Sequence, residues 1–135
     1  MLDSVSKGLP ATMEAFQMTT KAARVGFDWP DAQAVLAKLR EELGELEEVA
    51  QSGDPARIQD ELGDLMFSAV NVARILGADA EGSLKAANRK FRRRFGHIEE
   101  RLRAQGKAPA ESTLQEMDAL WDEAKARERE EPAAS

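Results

Sequence analysis

Apolar residues recur along this chain at three- and four-residue intervals, the spacing of helices that each bury one face. Pro10 with Ala11 and Thr12 opens a first predicted helix, which runs to about Arg24, where Gly26-Phe27-Asp28-Trp29-Pro30 forces a turn. From about Asp31 to Gln51 the residues Leu36, Leu39, Leu43 and Leu46 share one stripe, and Ser52-Gly53-Asp54-Pro55 ends that helix and starts the next. So short a turn predicts an antiparallel pair. The third helix, from about Pro55 to Leu76, puts Ile58, Leu62, Leu65, Ala69, Val72 and Leu76 on one face and Phe67 and Val70 on the opposite one. It is expected to be the most buried. Gly77 stops it, and a fourth helix from about Ala80 to Ala104 carries Leu84, Phe91, Phe95, Ile98 and Leu102 on a stripe. After the loop Gln105-Gly106-Lys107-Ala108-Pro109, Ser112 or Thr113 caps a last helix with Leu114, Met117, Leu120, Trp121 and Ala124 facing inward.

The pattern predicts an all-α protein, an antiparallel helical bundle of four to five helices per subunit. A chain of 135 residues without internal repeats suits one domain. Its expected limits are residues 9–127, with a lead over 1–8 and a disordered tail over 128–135. Because the third helix is apolar on both sides, one subunit's neighbours cannot easily cover it, and a homodimer is expected.

Charge and composition narrow the chemistry. A net charge of −6 disfavours stable nucleic-acid binding and requires that an anionic substrate be received locally, by cations or metal. Without cysteine, and with His97 as the one histidine, thiolate chemistry and most zinc sites are excluded, so any metal is hard and oxygen-bound. The first ten residues lack a signal-peptide core, and the stretch from Leu65 to Ala73 is far short of a membrane span, which leads to a cytoplasmic expectation with no membrane partner.

Against that background the acids of the second and third helices stand out. Glu42 and Glu45 lie three apart, with Lys38 four before Glu42, on a strip beside the leucine stripe. Glu61 and Asp64 are likewise three apart, and Arg57 and Asn71 continue their strip. If the two helices pack antiparallel, four carboxylates converge at the edge of the core. Such a group repels itself near neutral pH unless a divalent cation neutralises it, and its size leaves room for two ions about 3.5–4 Å apart. As solvated surface acids, Glu42 and Glu45 would need no metal, since Glu is a good helix former. Glu61 and Asp64 are different, because the surrounding segment from Leu62 to Leu76 is nearly apolar.

These features resemble the MazG-type nucleoside triphosphate pyrophosphohydrolases of the all-α NTP pyrophosphatase superfamily. The likeness rests on GFDW (26–29), KLREELGELEE (38–48), DELGDLMFSAVNVAR (60–74), LKAANRKFRRRF (84–95) and the late Trp121, in family order over about residues 9–127. Larger members carry two such domains, and this chain is similar to the second, catalytically competent one. The resemblance implies hydrolysis of a nucleoside triphosphate, ribo or deoxy, to the monophosphate and pyrophosphate. Mg²⁺, in one ion or several and replaceable by Mn²⁺, would be held by Glu42, Glu45, Glu61 and Asp64. It further implies that Glu41 positions or deprotonates the attacking water, with Asp60 as a second candidate, and that Lys38 adds charge near the metals.

Between Lys85 and Arg94 lie six cations and no acids. Helical geometry sets Lys90 and Arg94 beside the Phe91/Phe95 stripe and turns Arg89, Arg92 and Arg93 outward. By the resemblance Lys90 and Arg94 contact the triphosphate, and Arg57 falls where the family has another basic residue. Trp121 reads as core or dimer packing from its neighbours, and as a base-stacking residue from the resemblance, with Trp29 a second choice. Asn71 and Asn88 are further substrate-contact candidates, since a buried amide needs hydrogen-bond partners. His97 is read as incidental. Rival readings are a relative restricted to dUTP, dCTP or phosphoribosyl-ATP, an alarmone hydrolase, and a non-catalytic helical interaction module with surface acids.

Overall fold

The computed structural model of the protein describes residues 1–131; Pro132–Ser135, the end of the expected tail, lie outside the described residues. Five α-helices follow one another: α1 (Ala11–Arg24), α2 (Ala32–Ser52), α3 (Pro55–Ile75), α4 (Ala80–Ala104) and α5 (Leu114–Glu130). Short 3₁₀ turns occupy Leu2–Ser4 and Pro109–Glu111, and no strand occurs among the described residues. The all-α class is as the sequence predicts. No helix among the described residues is long and apolar enough to cross a membrane.

Local chemistry sets the helix ends. Asp31 Oδ1 accepts from the Ala34 amide at 2.8 Å and Asp54 Oδ1 from the Ala56 amide at 3.1 Å, so both satisfy donors that a helix start leaves free. Of the two candidate caps for α5, Thr113 is the one used; its Oγ1 accepts from the Glu116 amide at 3.1 Å. Gly53, at φ +70°, closes α2 in the left-handed conformation that glycine adopts without a Cβ penalty, and Pro55 then starts α3.

The chain divides into two compact units, Met1–Leu84 and Lys85–Ser135, with the boundary inside α4. In the first, the two-residue link Gly53-Asp54 folds α3 back along α2, and α1 packs on α3. The buried residues of α2 are Val35, Glu42 and Val49, a seven-residue period, and not the leucine stripe. Leu43 is left 45% exposed. Glu42 therefore occupies the middle of the packed face, whereas the helical spacing predicts the acids at its edge.

On α3 the buried residues are Ser68, Val70 and Asn71, while Leu62, Met66, Phe67 and Leu76 are all more than 40% exposed. This revises the expected face: α1 and α2 cover two sides of a helix that is apolar nearly all round, and the Leu62/Met66/Ala69 side is left open.

In the second unit, Ile98, Leu102 and Leu120 form a cluster that Phe95, Met117 and Trp121 cover. Pairings of Arg94 with Glu128, His97 with Glu123 and Lys107 with Glu116 run α5 antiparallel to the later turns of α4. Leu84 and Phe91 are 48% and 59% exposed, and Leu114 is 72% exposed, so these three do not join the inward stripes assigned to them. α5 continues to Glu130, past the expected boundary at residue 127, because Glu128 is tied to α4 by both Arg93 and Arg94.

Candidate active site

Packing α3 against α2 gathers the acids into two overlapping groups. Glu42, Glu45 and Glu61 each bring a carboxylate oxygen within 4.8 Å of the others, and so do Asp60, Glu61 and Asp64. Glu61 belongs to both. The i, i+3 spacing on each helix fixes which oxygens can meet. Glu42 is 5% exposed, Glu45 and Glu61 are half-buried, and Asp60 and Asp64 open to solvent.

This arrangement is electrostatically costly. Lys38 Nζ lies 2.8 Å from Glu42 Oε1, and that hydrogen bond holds the Glu42 carboxyl below its ordinary range while raising the lysine. Glu45 moves the other way. The negative charge of Glu42 first, then burial, push its carboxyl up to about 7. Glu42 Oε2 and Glu61 Oε2 are buried without any hydrogen-bond partner. Buried carboxylate oxygens seldom stay unmatched, because the desolvation penalty goes uncompensated. A hard divalent cation is the partner that such oxygens fit, and these acids could hold one.

Other residues singled out in the sequence fall around this group. Lys38 neutralises Glu42 and also lies 3.7 Å from Glu41, whose side chain is 58% exposed and stands outside both acid groups. Asp60, the second candidate for activating water, is inside one of them. Arg57 is exposed one turn before Glu61.

A polar network that the sequence reading missed lies further along α3, centred on Arg74. Arg74 forms a fork on Asp28, with Nη1 and Nη2 at 3.0 and 2.6 Å from the two carboxylate oxygens. Its Nε donates to Thr19 Oγ1 at 3.2 Å, and Nη2 also donates to Asn71 Oδ1 at 3.1 Å. The arginine hydrogen bond holds the Asp28 carboxyl low, and the Trp29 amide adds to this by donating to Asp28 Oδ1 at 2.8 Å. Gly26, at φ +95°, lets the chain leave α1 and place Asp28 against α3. A signal for this was available. An arginine inside the apolar run from Leu65 to Leu76 requires an acid, and Asp28 lies in a motif already marked.

The second unit holds the remaining candidates. Arg94 is committed to Glu128, with Nη2 2.8 Å from Oε2, and its guanidinium lies 5.2 Å from the centre of the Trp121 ring. Trp121 also meets Phe91 at 5.7 Å between ring centres and covers the Ile98/Leu102/Leu120 cluster. Its packing role is thus visible. Lys90 and Asn88 are exposed. His97 Nε2 lies 3.1 Å from Glu123, an ordinary structural pairing.

Comparison with known proteins bears on this geometry. Residues 31–98, which include both acidic strips, match the model of the MazG nucleotide pyrophosphohydrolase domain. A nucleoside triphosphate pyrophosphohydrolase from Escherichia coli (strain K12) is 39% identical over 129 residues, which make up 94% of this chain and 49% of that one. A nucleoside triphosphate pyrophosphohydrolase/pyrophosphatase MazG from Thermotoga maritima is 40% identical over 117 residues, 87% of this chain and 45% of its own length. The chain spans about half the length of these curated relatives. A group of carboxylates on two antiparallel helices that could hold a hard cation, within a segment that matches the family model across half of the sequence, leads to one assignment: the chain belongs to the MazG nucleotide pyrophosphohydrolase domain family.

Proposed function

We propose that the protein hydrolyses nucleoside triphosphates to the monophosphate and pyrophosphate with Mg²⁺ or Mn²⁺. The observation that carries this reading is the Glu42/Glu45/Glu61 group with its two partnerless buried oxygens, within a family of nucleotide pyrophosphohydrolases. Glu42, Glu45 and Glu61 would hold one ion, and Glu61 with Asp64 would hold a second. Divalent ions held there would supply charge to offset the phosphate oxygens and would make a water easier to deprotonate. Lys38 keeps Glu42 ionised for that task. Taking the proton from the attacking water falls to Asp60 or Glu41; membership of the acid group favours Asp60. Lys90 and Arg94, which fall within the segment that matches the family model, are the candidates for triphosphate contact, and Arg57 adds charge beside α3. Trp29 and Trp121 are the stacking candidates, and Asn71 and Asn88 the amide contacts. A cytoplasmic location accompanies this reading. Pyrophosphate release from a panel of NTPs and dNTPs tests it: metal-dependent release, equimolar with monophosphate and abolished by EDTA, is expected. Failure of every nucleotide would leave the interaction module as the better account.

The same reading includes a homodimer. The open side of α3 borders an apolar groove of about 580 Å³ lined by Ala11, Ala15, Met66, Ala69 and Leu84 within the first unit. A second copy of the same surface would cover it, as two-fold interfaces do. Met66→Glu should shift the protein from dimer to monomer mass in light scattering while its helical circular dichroism is kept. An unchanged mass would count against this face.

A further inference from the structure

A separate cavity of about 440 Å³ in the first unit is walled by Met18 of α1, Phe27 and Trp29 of the intervening loop and Phe67 and Asn71 of α3, with the Asp28–Arg74 ion pair also in its lining. Its size falls in the range that receives small ligands, and its walls are mostly apolar with a few polar groups, the composition that suits a flat heterocycle. Asn71 stands seven residues after Asp64, two turns along the same helix and about 10 Å away at the helical rise. A nucleotide whose phosphates lie at the acids can therefore extend its base towards this cavity. The inference that follows rests on the pyrophosphohydrolase reading.

Asn71 is 6% exposed and its orientation is dictated by Arg74. A guanidinium only donates, so the Asn71 atom 3.1 Å from Arg74 Nη2 has to be the carbonyl oxygen. The NH₂ end is thereby turned away from the guanidinium, to the side of Phe67, which also lines the cavity. Among the described residues its acceptor is the Phe67 carbonyl at 3.5 Å, a long contact that uses one of two N–H bonds at most. Arg74 is itself immobilised by its fork on Asp28 and by Thr19, so the amide is not free to flip.

We propose that this cavity is the base-reading pocket of the enzyme. Asn71, oriented by Arg74, presents an N–H donor to it and selects bases carrying a carbonyl at the edge that enters, in preference to bases carrying an amino group there. Asn71 contacts the base; Arg74 is a positioning residue. Uracil, thymine, hypoxanthine and guanine are the favoured class, because an amino group facing the Asn71 NH₂ would leave two donors opposed and unpaired.

Binding measured by calorimetry with Ca²⁺ in place of Mg²⁺, so that binding is read apart from turnover, tests the proposal with matched pairs: UTP against CTP and ITP against ATP. At least about tenfold tighter binding of the carbonyl member of each pair is expected. Asn71→Asp, which keeps the acceptor for Arg74 and removes the donor, should erase the preference. Arg74→Lys, which keeps the charge but loses the fork, should reduce it to about twofold or less. Equal binding within the pairs, an amino preference, a preference that survives Asn71→Asp, or no nucleotide binding at all overturns the proposal. A carbonyl preference in binding without any pyrophosphate release would sustain the pocket and sink the hydrolase reading.

Discussion

Glu61→Gln is expected to lower metal-dependent pyrophosphate release by on the order of a thousandfold, the loss that follows when several kcal/mol of metal-derived transition-state stabilisation is removed. No other carboxylate belongs to both acid groups, so the change strips an oxygen ligand from each of two candidate ion sites. Its effect on the metal-free fold should run the opposite way. Glu61 Oε2 is buried without a partner, and a neutral amide of the same shape relieves repulsion with Glu45. The melting temperature of the metal-free variant should therefore equal or exceed that of the parent, while the rise produced by millimolar Mg²⁺ disappears. Rates measured beside melting curves with and without EDTA separate the cases. A variant that loses activity because it no longer folds would melt lower in both conditions, and the metal assignment would then lose its support.

The way this site is embedded explains which parts of it could be read from the sequence. Helix ends were legible because single residues determine them: Asp31, Gly53-Asp54-Pro55 and Thr113 each do one local job. The acid spacing was legible for the same reason, since i, i+3 neighbours meet on any helix. What escaped was the choice between two faces. Leucines at 36, 39, 43 and 46 announce a stripe, yet the packed face of α2 centres on Val35, Glu42 and Val49. A carboxylate takes that place only if something repays its burial, and in this structure Lys38 repays one oxygen of Glu42 and leaves the other bare. On α3 a helix that is apolar nearly all round gives no stripe to follow, so the side that stays open, Leu62 with Met66, emerged only from what α1 and α2 cover. Arg94 shows the converse. Its position beside the Phe91/Phe95 stripe was readable, but its partner Glu128 lay in a stretch whose composition resembles a disordered tail. Long-range pairings of this kind, like Arg74 with Asp28 across 46 residues, leave little trace in local periodicity.

The acid group should also make stability and metal binding respond to pH in opposite directions. Glu45 has its carboxyl raised from an ordinary 4.5 to about 7 by the charge of Glu42 and by burial. A carboxyl raised on folding binds its proton more tightly in the native state than in the unfolded chain. Its contribution is thus fully present below about 4.5 and is lost as pH rises through 7. Metal-free protein should accordingly melt at progressively lower temperature between pH 6 and pH 8. Glu42, held low by Lys38, contributes with the reverse sign, but its loss falls below the ordinary carboxylate range and outside this window. On the proposed ligand set Mg²⁺ should reverse the trend, because it would bind the ionised form and have to displace the Glu45 proton. Its affinity should weaken by up to about tenfold for each pH unit below 7, one proton being released per ion bound. Glu45→Gln separates this group from every other titrating acid: the metal-free melting temperature of the variant should no longer fall over pH 6 to 8, and its residual Mg²⁺ affinity should lose the steep dependence. Titrations of Mg²⁺ followed by melting temperature at half-unit intervals from pH 5.5 to 8 check both expectations. A parent protein whose metal affinity stays flat across that range would mean that Glu45 is not displaced by the ion, and that the ligand set has to be sought in Asp60, Glu61 and Asp64 alone.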